Sequence, residues 1–91
     1  MLHSPLVYLS PAIAMTLFRV VFETEVMILA SDEQEAIRDA ERHVGDEDPT
    51  LHYSEPIRCV EELREWVGAI PYTSRSVTNP DEMKCEEFVP A

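Results

Sequence analysis

Residues 17–30 alternate with a period of two, and that alternation constrains the fold more than any other feature of the chain. Phe18, Val20, Phe22, Val26, Ile28 and Ala30 share one face with Thr24. Arg19, Val21, Glu23, Glu25, Met27 and Leu29 share the other. A continuous apolar face opposite a mixed one marks a half-buried strand. Fourteen residues exceed an ordinary strand of about 5–6, so a bend, bulge or hairpin is expected near Glu23, Thr24 and Glu25.

A helix follows directly. Ser31 is placed to cap it, with Gln34 three residues on, where a capping box needs Glu or Gln. Asp32 and Glu33 complement the positive end of the helix dipole. Ala36, Ile37, Ala40 and Val44 recur at helical spacing and face a core. Glu35 with Asp39, and Arg38 with Arg42, are expected on the outer surface. Gly45 ends the helix, and Asp46, Glu47, Asp48 and Pro49 form a charged turn.

Residues 50–60 read as a second strand, with Leu51, Tyr53, Glu55, Ile57 and Cys59 alternating against His52, Ser54 and Arg58. Pro56 removes a ladder donor and puts this strand at an edge or breaks it. Residues 61–68 read as a short amphipathic helix in which Val60, Leu63 and Val67 form one apolar line beside Trp66 and Ile70; Gly68 and Pro71 stop it. Residues 72–82 are a polar loop, and 84–89 a last short strand carrying Cys85 and Phe88. The predicted fold is α+β: a small, mostly antiparallel sheet with one main helix on one face and a second short helix. Phe18, Val20, Phe22, Val26, Ile28, Ile37, Ala40, Val44, Ile57, Leu63 and Val67 are the expected core.

The 91 residues make one domain over 15–91. Residues 1–14 carry no acidic or basic residue apart from His3. They read as upstream sequence before a start at Met15, as a weak secretory signal lacking a basic n-region, or as an apolar arm packing on the domain or a second copy. No apolar run is long enough to span a membrane.

Charge narrows the function. Eighteen acidic residues against seven basic ones give a net charge of −11. Binding duplex nucleic acid directly requires Lys and Arg to neutralise phosphates, and this field repels both nucleic acid and anionic membrane. It serves solubility, or it meets a protein partner with a basic surface. The candidate partner-binding residues are Asp32, Glu33, Glu35 and Asp39 on the first helix, Asp46, Glu47 and Asp48 in its exit turn, and Glu61, Glu62 and Glu65 on the second helix. Asp81, Glu82, Glu86 and Glu87 form a fourth acidic group. Tyr72, at the border of the polar loop, is the candidate aromatic anchor.

Catalytic chemistry finds little support in the residues. His3, His43, His52, Cys59 and Cys85 lack the paired spacing of a zinc site, so no metal or other cofactor is expected. No signature surrounds a Cys–His pair; two free thiols in a reducing cytoplasm are the favoured reading of Cys59 and Cys85. Glu23 and Glu25 share a strand face, but a general acid needs burial to raise its pKa. With glycine only at 45 and 68, no glycine-rich phosphate loop forms.

The stretch 18–40, FRVVFETEVMILASDEQEAIRDA, resembles the opening of small bacterial and phage proteins: a strand, Ala-Ser, an acidic helix start, then Glu-Ala and Ala. The segments WVGAIPY (66–72) and CEEF (85–88) are similar to the tails of short phage-type proteins. The resemblance spans most of residues 17–89. It implies an α+β fold and carries no catalytic residues. Short acidic proteins of this kind include anti-CRISPR proteins and other phage inhibitors of host defence, which act by binding, often with acidic surfaces set against nucleic-acid channels. The expectation is therefore a non-enzymatic inhibitor in the host cytoplasm that occludes a basic groove of a nuclease or CRISPR effector. The alternative is a small accessory protein that self-associates, as a homodimer, through a strand edge or its apolar arm.

Overall fold

The computed structural model describes residues 15–45 and 49–90. The long alternating stretch is a hairpin: β1 (Thr16–Val21) turns at residues 22–24 into antiparallel β2 (Glu25–Ala30). The Phe22 amide donates to Thr24 O at 3.0 Å across the turn. The register runs from Thr16 opposite Ala30 to Val21 opposite Glu25. Every facing pair therefore joins residues of the same parity. A three-residue link reverses the chain without shifting the phase of alternation, whereas a two-residue link would have shifted it. The hairpin thus leaves the same sequence pattern as one long strand.

A four-stranded sheet is completed in the order β3-β1-β2-β4. β3 (Tyr53–Pro56) runs antiparallel to β1, and β4 (Tyr72–Thr73) runs parallel to β2. The fold is the expected small α+β domain, with antiparallel pairing except where β4 joins β2 in parallel. Pro56 does lie on an edge strand. The Ile57 amide donates to Leu17 O at 2.8 Å, so Pro56, opposite Phe18, occupies the alternate position facing away from β1. Its missing N–H costs no ladder bond and removes a donor from the free edge.

The main helix α1 (Glu33–Val44) covers one face of the sheet. Its N-cap is Asp32, one residue later than expected from Ser31, with Oδ1 accepting from the Glu35 amide at 2.8 Å. Gly45 closes it at φ 80°, the left-handed conformation that glycine takes without a Cβ penalty. Ala36 and Ala40 are buried and small, which brings the helix close to the sheet. Phe18, Val20, Phe22, Val26, Ile28 and Ala30 fill the space beneath it, with Ile37 and Val44 packed at the margin.

The opposite face was expected to be half solvated, and it is buried as well. Leu17, Met27 and Leu29 pack with Ile57, Leu63 and Cys85, bordered by Met15, Trp66, Ala69, Val77, Phe88 and Val89. The covering layer comes from the C-terminal half of the chain and is built largely of 3-10 turns. One segment spans Val60–Trp66 and the other Cys85–Phe88. The latter replaces the expected final strand. The former replaces the expected amphipathic helix, and Arg64 interrupts it at φ 56°, ψ −124°. Because helical periodicity breaks at Arg64, the predicted apolar line is not formed: Leu63 is buried, while Val60 and Val67 are exposed. Val67 therefore leaves the predicted core. The Cys85 amide donates to Ala69 O at 2.8 Å. In the intervening polar loop, the Asn79 side chain exchanges two 3.0 Å hydrogen bonds with the Met83 backbone.

Candidate functional site: acidic surface and arginine cleft

The acidic residues singled out in the sequence fall into three situations. Asp32 and Glu33 stand exposed at the start of α1; Asp32 caps the helix, and Glu33 accepts a hydrogen bond from the Ser54 hydroxyl. Glu61, Glu62 and Glu65 lie in the C-terminal layer on the other side of the sheet. Asp46, Glu47 and Asp48 lie outside the described residues. The helix group and the group at residues 61–65 thus occupy opposite layers and do not form one continuous face.

Glu35 and Asp39 are a correction. Both were expected on the outer surface of α1, and both are buried. One helical turn apart, they flank the side of α1 that meets residues 74–76. Glu35 Oε1 accepts from the Ser31 amide at 2.9 Å and from the hydroxyls of Ser31 at 2.8 Å, Ser74 at 2.9 Å and Ser76 at 2.7 Å. The Ser76 hydroxyl, then the Ser31 amide and the remaining hydroxyls, outweigh burial and hold the carboxyl down at about 2. For Asp39, burial pushes the carboxyl up. The Arg75 amide at 2.9 Å, Arg42 at 3.0 Å and Arg38 at 3.9 Å overcome it, so the net direction is down. These two carboxylates fasten the C-terminal loop to the helix and are turned away from solvent.

A second internal charge group sits under the C-terminal layer. Arg19 is fully buried and pairs through Nη1 with Glu25; its Nε lies 3.5 Å from Glu55 Oε2. Arg19 Nε and Nη2 have no hydrogen-bond partner among the described residues. The Trp66 indole N–H donates to Glu25 Oε1 at 2.9 Å and ties the first 3-10 segment to the start of β2. Glu25 is thus a structural counter-ion. Cys85 is buried, and burial, followed by the neighbouring Glu86 charge, pushes its thiol up to about 11. Such a thiol is poorly nucleophilic. Cys59 is exposed, and the two cysteines are unbridged.

The C-terminal layer carries the best-placed carboxylates. Glu62 accepts from the Arg58 amide at 2.7 Å, Glu86 from the Gly68 amide at 2.8 Å, and Glu87 from the Lys84 amide at 2.8 Å. Backbone N–H groups thereby fix three charges. The Gly68 amide, first among its influences, holds the Glu86 carboxyl below its ordinary range. Glu61 and Glu65 are exposed and have no ion-pair partner among the described residues. Glu86 and Glu87 join the group at residues 61–65 only because the two 3-10 segments pack together, a juxtaposition that sequence spacing does not contain. Tyr72 lies on β4 in the other part of the molecule, half exposed and stacked on His43 with ring centroids 4.2 Å apart.

Sequence reasoning also passed over a cationic feature. An open cleft of about 520 Å³ is lined by Arg38, Asp39, Glu41, Arg42, Gly45, Pro49 and Arg75. The i, i+4 spacing of Arg38 and Arg42 was legible; their meeting with Arg75 was not. Among the described residues, no cluster of three or more His, Cys, Asp or Glu is arranged to hold a metal ion, and no helix is long and apolar enough to cross a membrane. Comparison with protein-family models, with curated proteins and with solved structures finds no match to this chain.

Proposed function

We propose that the protein is a non-enzymatic binding protein of the phage-inhibitor type, which uses an acidic surface to occlude a basic, nucleic-acid-binding surface of a host protein complex. The observation that carries this reading is the C-terminal layer. There Glu61, Glu62, Glu65, Glu86 and Glu87 are gathered, and backbone amides hold three of these carboxylates in place. Among the described residues, the acids that pair with a cation are Glu25, Glu55 and Asp39. Glu61 and Glu65 are exposed and have no such cation among the described residues, which leaves their charge available to a partner. Carboxylates already fixed in position lose less side-chain entropy on binding, and complementary charge raises the rate of encounter.

The test is capture from host lysate on the immobilised protein at low and high salt, followed by a nucleic-acid-binding assay of the captured complex. The expected result is a basic partner that elutes with salt and loses nucleic-acid binding when the protein is added. The variant E61K/E62K/E65K should lose the effect. Capture and inhibition unchanged by both salt and charge reversal would overturn the reading.

Self-association is a second reading, favoured by the exposed apolar side chains Val60, Val67 and Ile70. Strand-edge pairing is a poor route to it, because β4 has two residues and β3 carries Pro56 on its free edge. Light scattering over a concentration series separates the two: a dimer that V67D dissolves, with no captured partner, supports self-association.

A further inference from the structure

We propose that the cleft at the C-terminal end of α1 is a binding site for a small polyanion, recognised by Arg38, Arg42 and Arg75. The chain has only seven basic residues against eighteen acidic ones, yet three of its arginines line one cleft. Gathering like charges is unfavourable unless an anion sits among them. Asp39 supplies such an anion to Arg42 and Arg38, but the Arg75 side chain forms no ion pair among the described residues.

The cleft has an ordered floor. Asp39 is buried, and its oxygens are taken by the Arg75 amide at 2.9 Å and by Arg42 Nη2 at 3.0 Å. Arg38 Nε stands 3.9 Å away, beyond hydrogen-bond reach. The bond from the Arg75 amide anchors the loop while leaving its guanidinium uncommitted, since the side chain forms no ion pair among the described residues. Arg38 is largely exposed, and Arg42 about half so. Among the described residues, the negative groups lining the cleft are Asp39 and Glu41, and the first is already engaged. A volume of about 520 Å³ falls in the range of small-molecule sites. The planar guanidinium fork matches phosphate and carboxylate oxygens alike, two N–H groups to two oxygens. Three forks around one cleft suit a ligand bearing at least two such groups. Phosphate and carboxylate sources share this chemistry, and the experiment distinguishes them.

The experiment is an NMR titration of the full chain, at constant ionic strength, with inorganic pyrophosphate in one arm and citrate in the other. Saturable shifts of the Arg38, Arg42 and Arg75 Nε–H signals and of the Gly45 amide are expected, with half-saturation below about 1 mM. R38Q/R75Q should weaken binding by about tenfold or more. These changes spare Arg42, the Arg75 amide and their bonds to Asp39, so an unchanged spectrum elsewhere verifies the fold. Saturation by pyrophosphate alone assigns a phosphate ligand, by citrate alone a polycarboxylate, and by both a general polyanion site. No saturation by either at about 20 mM, or equal binding by R38Q/R75Q, overturns the proposal. Saturation seen only in D46N/E47Q/D48N also overturns it, because the chain's own carboxylates would then be what the arginines hold.

Discussion

The Ser76 hydroxyl donates to Glu35 Oε1 at 2.7 Å, joining the polar C-terminal loop to the first turn of α1 across forty-one positions of sequence. The same oxygen collects the Ser31 and Ser74 hydroxyls and the Ser31 amide. One carboxylate therefore holds the helix start, the loop beyond β4 and the end of β2 together. This acid contributes to stability, and its effect has a defined pH window.

The folded-state pKa of Glu35 is lowered to about 2 from an ordinary 4.5. A lowered carboxyl stabilises the fold above its unfolded pKa, and that contribution is lost as pH falls from about 4.5 towards 2. Its expected size is on the order of 1–2 kcal/mol, because Ser76, its leading hydrogen-bond donor, is itself exposed to solvent. Urea unfolding of wild type and E35Q should show E35Q less stable at pH 7, with the two curves converging near pH 2. An undiminished gap at pH 2 would rule out ionisation as the source.

Arg19 is buried against Glu25 and Glu55. E25Q/E55Q leaves a buried guanidinium without counter-charge but keeps an acceptor for the Trp66 indole. The expected loss is about 3–5 kcal/mol, and R19M added to that pair should restore much of it, since apolar replacement of a buried ionic group is often neutral or better. Denaturant midpoints at pH 7 measure both. A triple variant no more stable than the double would mean that Arg19 acts through packing.

Arg64 holds φ 56°, ψ −124°, a region open to glycine and costly for other residues. R64G is expected to stabilise the fold by about 1 kcal/mol, with added flexibility of the unfolded chain offsetting part of the relief. Thermal unfolding checks it, and a lowered midpoint would mean that the Arg64 side chain makes a compensating contact.

The two cysteines should react very differently. Cys59 is exposed, whereas Cys85 is buried with its thiol pushed up to about 11. A thiol reagent at pH 8 should modify one cysteine in the native protein and two after denaturation, with peptide mapping placing the first at Cys59. Rapid native labelling of Cys85 would mean that the C-terminal layer opens readily.

Leu63 is the fully buried side chain of the first 3-10 segment. L63A should cost about 2–5 kcal/mol and expose Cys85 to the same reagent. Loss of stability without that exposure would mean that the two 3-10 segments are held independently.

The sequence by itself determined the helix, the alternating core and the class of fold. Alternation at Phe18, Val20, Phe22, Val26, Ile28 and Ala30 names one face of the sheet, and Ala36, Ala40 and Gly45 mark the helix that covers it and where it stops. These are local periodicities and local backbone preferences, which neighbouring residues set. The tertiary structure decided everything that rests on contacts between distant segments. The same-parity turn hid the hairpin, because reversal through three residues preserves the phase of alternation. The second face looked mixed because Arg19 and Glu25 are polar; under the docked C-terminal layer Arg19 is buried, with the half-buried Glu25 as its counter-ion. Glu35 and Asp39 read as solvated acids until Ser74, Arg75 and Ser76 arrive from the far end of the chain to bond them. The acidic layer and the arginine cleft follow the same rule. Charge is written residue by residue, but which charges meet is fixed by long-range packing, and a one-dimensional pattern does not carry that information.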